Sequence, residues 1–243
     1  MRKILLAILL PLLSCTAYAK NITLTPENTM YFNFPVSEAT VDYAISRILT
    51  LEESNPQKIY LVLNSPGGSV MAGIRFIGFL RQFHNIDTVS FFAASMASGI
   101  VEGNSGIRYV TPTGTLMFHR ASVGLEGQIG SGEFESRLQY IKDIVLELER
   151  QDAKRMHISL SKFKHLIKDE LYEVGSNAIG SSADEVAIIT CSPELMTHMT
   201  PVTIGGVKVG SYISCPYINK IEQEQGSAEQ KLLEGFKEKE DKK

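Results

Sequence analysis

Four short stretches carry the residue types that acyl-transfer chemistry uses. The first is LNSPGGSV (63–70), where a proline and two glycines follow an apolar run and precede a helical pattern. The residue before a proline is pushed toward extended backbone, and glycine opens angles closed to other residues. Such a turn can aim N–H groups into a cleft at the carboxyl end of a strand, where α/β folds place their ligands. Pro-Gly turns are also common without any ligand, so this motif alone does not choose. The second stretch is FFAASMASG (91–99). Ser95 lies where an apolar strand passes into a helix, and the helix N-terminus favours developing negative charge. A helix-capping role is the plainer alternative, and Ser98 sits one turn later with the same chemistry. The third is TLMFHRAS, in which His119 ends an apolar run and is placed to act as a base near a hydroxyl. The fourth is HLIKDELYEV, whose Asp169 can orient and charge-compensate an imidazole. Asp143 and Asp152 compete for that role, but both fall on an amphipathic helix, where solvated acids are the default.

The elements that must position these groups alternate. MYFNFPV (30–36) reads as a strand, and a helix follows with Ser37 at its N-cap and Val41, Ala44, Ile45 and Ile48 on one face. IYLVLN (59–64) is a strand of the doubly buried type, without polar alternation. VMAGIRFIGFLRQF is a second helix, DTVSFFAAS a third strand, and MASGIVEG is helix-compatible. Two β-rich segments, GIRYVTPTG and TLMFHRAS, come next, then a flexible stretch, VGLEGQIGSGE, with four glycines. A long helix spans 134–156, with Phe134, Leu138, Ile141, Val145 and Leu148 in one stripe. LSKFKHLIKDELYEV is a helix or pair of turns, and VAIITC a strand. Strand and helix in this order predict an α/β fold with a largely parallel sheet.

The 243 residues, 44% hydrophobic, suit one domain with a sizeable core. A formal net charge of −3 offers no global basic field for nucleic acid. Residues 1–19 have a basic start, an apolar run from Ile4 to Leu13, and Ala17-Tyr18-Ala19, the layout of a secretory signal peptide cleaved after Ala19. Losing Arg2 and Lys3 takes the formal charge from −3 to −5. A lipoprotein-type cleavage at Cys15 is the lesser alternative, because the second Leu of Leu12-Leu13-Ser14-Cys15 is unusual there. Export implies a periplasmic or secreted protein, and leaves Cys191 and Cys215 as a pair that an oxidising compartment can join. The alternative is two unpaired buried thiols. The two cysteines flank a hairpin turning at Gly205-Gly206. No C-x-x-C pair or histidine cluster offers metal ligands, and no cofactor is expected. The charged tail, 219–243, reads as frayed helix or disorder.

Taken together, the ordered stretches resemble the Clp protease proteolytic subunit. NTMYFNFPVSEATVDYAISRILTLEESNPQKIYLVLNSPGGSVMAG is similar to the front half of that family, AASMAS to its nucleophile segment, and LMFH to its histidine strand. LIKD, fifty residues after His119, resembles the stretch that holds its aspartate, and GSNAIGSSADEVAII its closing element. The resemblance covers roughly 29–190. It implies a serine peptidase on the crotonase-like ββα superhelix, with Ser95 as nucleophile, His119 as general base and Asp169 as orienting acid. Gly68 and Met96 would supply the backbone donors of an oxyanion hole. It also implies a peptide or unfolded-protein substrate and a homo-oligomer, with heptameric rings as one form. Export argues against the family's ATP-driven unfoldase partner, since ATP is absent outside the cell. The segment SVGLEGQIGSGEF departs from the family's more regular pattern. The expected organisation is a peptidase domain over 20–190, a hairpin extension over 191–218 and the tail. Two other readings compete: a signal-peptide-peptidase relative with a serine–lysine dyad on Ser98, and a catalytically silent oligomeric binding module on the same fold.

Overall fold

The computed structural model describes residues 19–54, 57–122, 131–204, 207–218 and 221–223. Residues 1–18, on which nearly all of the expected signal peptide (1–19) falls, most of the glycine-rich stretch (123–130), Gly205-Gly206 and most of the tail lie outside the described residues.

The chain opens with β1 (Lys20–Leu24) and β2 (Thr29–Phe32), then α1 (Glu38–Glu53). The Ser37 side chain accepts the Thr40 N–H while the Thr40 hydroxyl accepts the Ser37 N–H, a reciprocal cap that fixes where α1 starts. Next come β3 (Ile59–Ser65), α2 (Val70–Leu80), β4 (Ile86–Ala94) and α3 (Met96–Gly103). The strand β5 (Arg108–Phe118) leads to α4 (Ser131–Arg155), α5 (Leu160–Leu166) and β6 (Leu171–Val174). A 3-10 turn (Gly175–Ala178) precedes β7 (Glu185–Cys191), α6 (Pro193–Thr197), β8 (Met199–Ile204), β9 (Val207–Ile213) and β10 (Ile221–Gln223).

One sheet runs β1-β7-β5-β4-β3-β2, with every pairing along that path parallel; β6 adds to β5 antiparallel. The fully buried Leu61, Val62 and Leu63 of β3 and Val89 and Ala93 of β4 explain why these strands read as continuous apolar runs. Helices α1, α2 and α3 bury Ile48, Phe76 and Ile100 in the same core. The architecture is the expected mixed α/β arrangement with a mainly parallel sheet, carrying a β8–β9 hairpin at its C-terminal end.

Several local readings change. β1, absent from the sequence reading, pairs with β7 across nearly the whole length of the chain. The two β-rich segments before and after Thr113 form one strand, with a register shift opposite Phe91 that lets it bend without breaking. Leu171–Val174, expected within helix or turns, pairs with Thr115–Phe118. The stripe on α4 is not a core seam along its length: Phe134 is 43% exposed, Leu148 packs against the core, and full burial comes only at Asp152, Ala153 and the following Met156. Residues 221–223 pair antiparallel with β9, so the tail begins as a strand, where frayed helix or disorder was expected.

Cys191 and Cys215 are joined, with their Cα atoms 5.9 Å apart. The bridge ties the end of β7 to the segment after β9. Tyr212 holds the other side, donating its hydroxyl to Tyr31 O at 2.7 Å and packing edge-on to Phe34. Opening the bridge by Cys191→Ser with Cys215→Ser is expected to cost about 3 kcal/mol in urea unfolding, the chain-entropy value for a loop of about 23 residues. Wild-type protein under reducing conditions should lose the same amount, and the double variant should be insensitive to reductant.

Candidate active site

Three neighbouring parallel strands end at one edge of the sheet, and the candidate residues follow them directly. β3 pairs with β4 through Ser65 and Ala93, and β4 with β5 through Ala94 and Met117. The next residues are therefore Pro66-Gly67-Gly68, Ser95 and His119. Chain direction and register alone bring the glycine turn, the serine and the histidine to a common edge.

Ser95 occupies the position before α3 with φ 56 and ψ −122, a left-handed backbone that costs a non-glycine residue about 1–3 kcal/mol. Its N–H donates to Met117 O at 2.8 Å, and its carbonyl accepts the Gly99 N–H at 3.2 Å, which hold the sharp turn. Its hydroxyl makes no cap to the helix it precedes. Instead Oγ lies 2.7 Å from His119 Nε2. With the ring proton on Nδ1, Nε2 accepts the hydroxyl, which is the arrangement for drawing the proton away during attack. Both side chains are half-buried and open to a cavity of about 100 Å³.

Gly67 and Gly68 carry φ values of +84 and +147. A Cβ on Gly67 would stand 2.4 Å from Ala94 O and 2.9 Å from Ser95 Cβ, so this turn packs directly on the serine elbow. Gly68 forms an isolated parallel bridge with Val36: Val36 N donates to Gly67 O and Ser69 N donates to Val36 O, both at 2.8 Å. In that pattern the amide of Gly68 itself points away from Val36, on the side of the cavity it lines with Ser95. Met96 is the first residue of α3, so its N–H has no partner within the helix. The amides of Gly68 and Met96 thus belong to the lining of the cavity that Ser95 shares, two donors of the kind that suits an oxyanion.

Ser98 is fully buried, and its hydroxyl lies 2.6 Å from Ala93 O and 2.8 Å from Met117 O. It stitches the ends of β4 and β5 and does not line the cavity. Among the described residues, no lysine lines the cavity either, so a serine–lysine dyad on Ser98 lacks its base.

Asp169 sits on the turn before β6 and is exposed; the hydrogen bonds of the described residues include none between it and His119. Asp143 is exposed on α4, as expected. Asp152 is not: the expectation of a solvated acid fails, because this end of α4 packs on α3 and the carboxyl is only 8% exposed. It lines the cavity shared by Ser95 and His119. No local sequence signal sets Asp152 apart from the other acids of α4; its burial is decided by the contact with α3.

The parallel sheet with ligand-facing groups at one strand edge is that of a crotonase-like α/β protein. More narrowly, a family model for Clp protease matches residues 15–180, well over half of the chain, and the chain belongs to that family. Membership points to a peptidase, a hydrolase of peptide bonds, and family members are typically oligomeric and act on peptides.

Proposed function

We propose that this protein is an exported, ATP-independent serine endopeptidase that cleaves peptides or unfolded protein segments. The single observation that carries the reading is the 2.7 Å pairing of Ser95 Oγ with His119 Nε2. Ser95 attacks the scissile carbonyl as His119 takes its proton, the amides of Gly68 and Met96 receive the oxyanion, and His119 returns the proton to the leaving amine. Water then repeats the cycle on the acyl-enzyme.

Export is supported by the layout of residues 1–19 and by β1 beginning at Lys20, immediately after the expected cleavage point. The Cys191–Cys215 bridge accords with an oxidising compartment. Such a compartment offers no ATP, which supports action without an unfoldase. Self-association is supported by the exposed Phe134 and Tyr140 on α4.

The test is labelling of residues 20–243 with a fluorophosphonate probe, followed by peptide mapping. The expected adduct is on Ser95 and is lost in His119→Ala. An adduct on Ser98, or one on Ser95 that persists without His119, overturns the proposed mechanism. A folded protein that takes no label favours the silent binding module.

A further inference from the structure

The pairing with Ser95 uses Nε2 of His119 and leaves Nδ1 on the opposite edge of the ring. A base of this kind works well only if Nδ1 keeps its proton and the imidazolium formed during attack is compensated. The acid that does this must reach the cavity in which His119 stands. Asp169, the acid picked out by the sequence, is exposed on the turn before β6. Two acids line the cavity itself, Glu149 and Asp152, both on α4.

These two differ in their partners. Glu149 is engaged by Lys164 of α5 at 3.1 Å. Asp152 has no cationic partner among the described residues; its one side-chain hydrogen bond comes from the Gln151 amide at 3.4 Å. Gln151 also donates to Gly99 O at 3.2 Å, and Gly99 lies one turn after Ser95 on α3. This bond ties the turn of α4 that carries Asp152 to α3. From α5 and its C-terminal cap the cavity receives Phe163 and Ile167, both 2% exposed and apolar, while the α5 cation Lys164 is taken up by Glu149.

We infer that Asp152 is the positioning acid of this site, holding His119 by accepting its Nδ1–H, directly or through one water. This deepens the proposed serine-peptidase reading and rests on it. The cavity of about 100 Å³ has room for bridging water, one molecule taking roughly 30 Å³. Hydrogen bonds of this sort are often long in the free enzyme and tighten when substrate binds. Proton bookkeeping is simple: the Ser95 hydroxyl proton moves to Nε2, Nδ1 keeps its own, and Asp152 stays a carboxylate beside the new cation.

The electrostatics of the pocket fit an acid that lacks its counter-charge at rest. Burial pushes the Asp152 carboxyl up to about 7, against the Gln151 hydrogen bond and with the help of Glu149. Glu102 on α3 is the other acid that feels its charge. The charged and polar groups that act on Asp152 are Glu149 and Gln151 on its own helix, with Glu102 from α3 feeling its charge in turn, and His119 lines the same cavity from the end of β5. An imidazolium is the charge that this acid-rich pocket lacks.

The experiment follows the rate of fluorophosphonate labelling at Ser95 against pH, for wild type, Asp152→Asn, Asp152→Glu and Asp169→Asn. Asp152→Asn is expected to slow labelling by about 10³-fold or more at neutral pH, as loss of the acid does in serine triads. Its midpoint should also move to lower pH by roughly one unit, because removing a carboxylate makes the imidazole less basic. Asp152→Glu, which keeps the carboxylate, should restore the wild-type midpoint. A purely structural role would lower the rate at every pH and leave the midpoint where it was, which overturns the inference. So does a midpoint that moves in Asp169→Asn and stays in Asp152→Asn. Should the Asn variant fail to fold, the ring-nitrogen NMR titration of His119 in the wild type decides: coupling to Asp152 gives two inflections, and a single one overturns the inference. If wild-type Ser95 takes no label, or takes it without His119, the serine-peptidase reading has failed and this inference falls with it.

Discussion

Replacing Ser95 by alanine is expected to lower turnover of an unfolded protein substrate by about 10⁶-fold, and His119→Ala to do nearly the same. The reason is that neither group does chemistry alone. The hydroxyl is a weak nucleophile until Nε2 accepts its proton, and the imidazole has nothing to activate once Oγ is gone. The double variant should therefore be no slower than either single one. Activity above the uncatalysed rate should survive in all three, supplied by the amides of Gly68 and Met96 and by substrate binding. Multiplicative losses in the double variant would mean that the two residues act independently, and the proposed pairing would be wrong. Ser98→Ala serves as the contrast. Its hydroxyl bonds to Ala93 O and Met117 O, so its loss should cost about 1–3 kcal/mol of stability while Ser95 still labels.

The largest stability effect is expected at Arg108, which does not line the cavity. Its guanidinium is 1% exposed and pairs with Glu102 at 2.6 Å and Asp184 at 2.7 Å, tying α3 to the start of β5 and the turn before β7. Burial pushes the Glu102 carboxyl well above its ordinary range even with Arg108 present, and its second oxygen has no partner. Asp184 is the opposite case: burial would raise it, but hydrogen bonds from the Arg108 side chain and backbone hold it below the usual range. Arg108→Ala should destabilise by about 3–5 kcal/mol in urea unfolding, because it strands a buried carboxylate. The deficit should depend on pH. With its folded-state pKa raised, Glu102 holds its proton more tightly in the native state than in the unfolded chain. It therefore adds stability in acid and loses it as pH rises through the folded value. Measured against wild type at each pH, the cost should be smallest near the ordinary glutamate pKa and grow toward neutrality. Adding Glu102→Gln should recover part of it. A deficit that shrinks on raising pH would show that Glu102 is not the stranded charge.

The strand edge at which the glycine turn, Ser95 and His119 meet was legible because it is built from local signals. A glycine pair after an apolar run, a serine between small residues and a histidine ending a strand each mark the carboxyl end of a strand. Consecutive parallel strands must bring such ends together. The same logic accounts for α1, whose cap is written in Ser37 and Thr40, and for the β8–β9 hairpin. Where the reading failed, the deciding partner was distant in sequence. Lys20–Leu24 becomes a strand only because β7 offers it an open edge some 165 residues later, and Leu171–Val174 only because β5 is long enough to take a third neighbour beyond β7.

What the order of residues determines by itself is therefore the strand-and-helix grammar and the parallel sheet, since each depends on periodicity or on a turn a few residues long; local chemistry left Ser95 and Ser98 level, and only the family resemblance singled out Ser95. Which of several acids stands behind the histidine depends on how α4 lies against α3. Asp143, Asp152 and Asp169 differ little as letters in a chain. A helix contact at Gly99 and Gln151 buries one of them in the wall of the cavity that Ser95 lines and leaves the other two in solvent, and a contact between elements fifty residues apart is settled by packing, which no local pattern records.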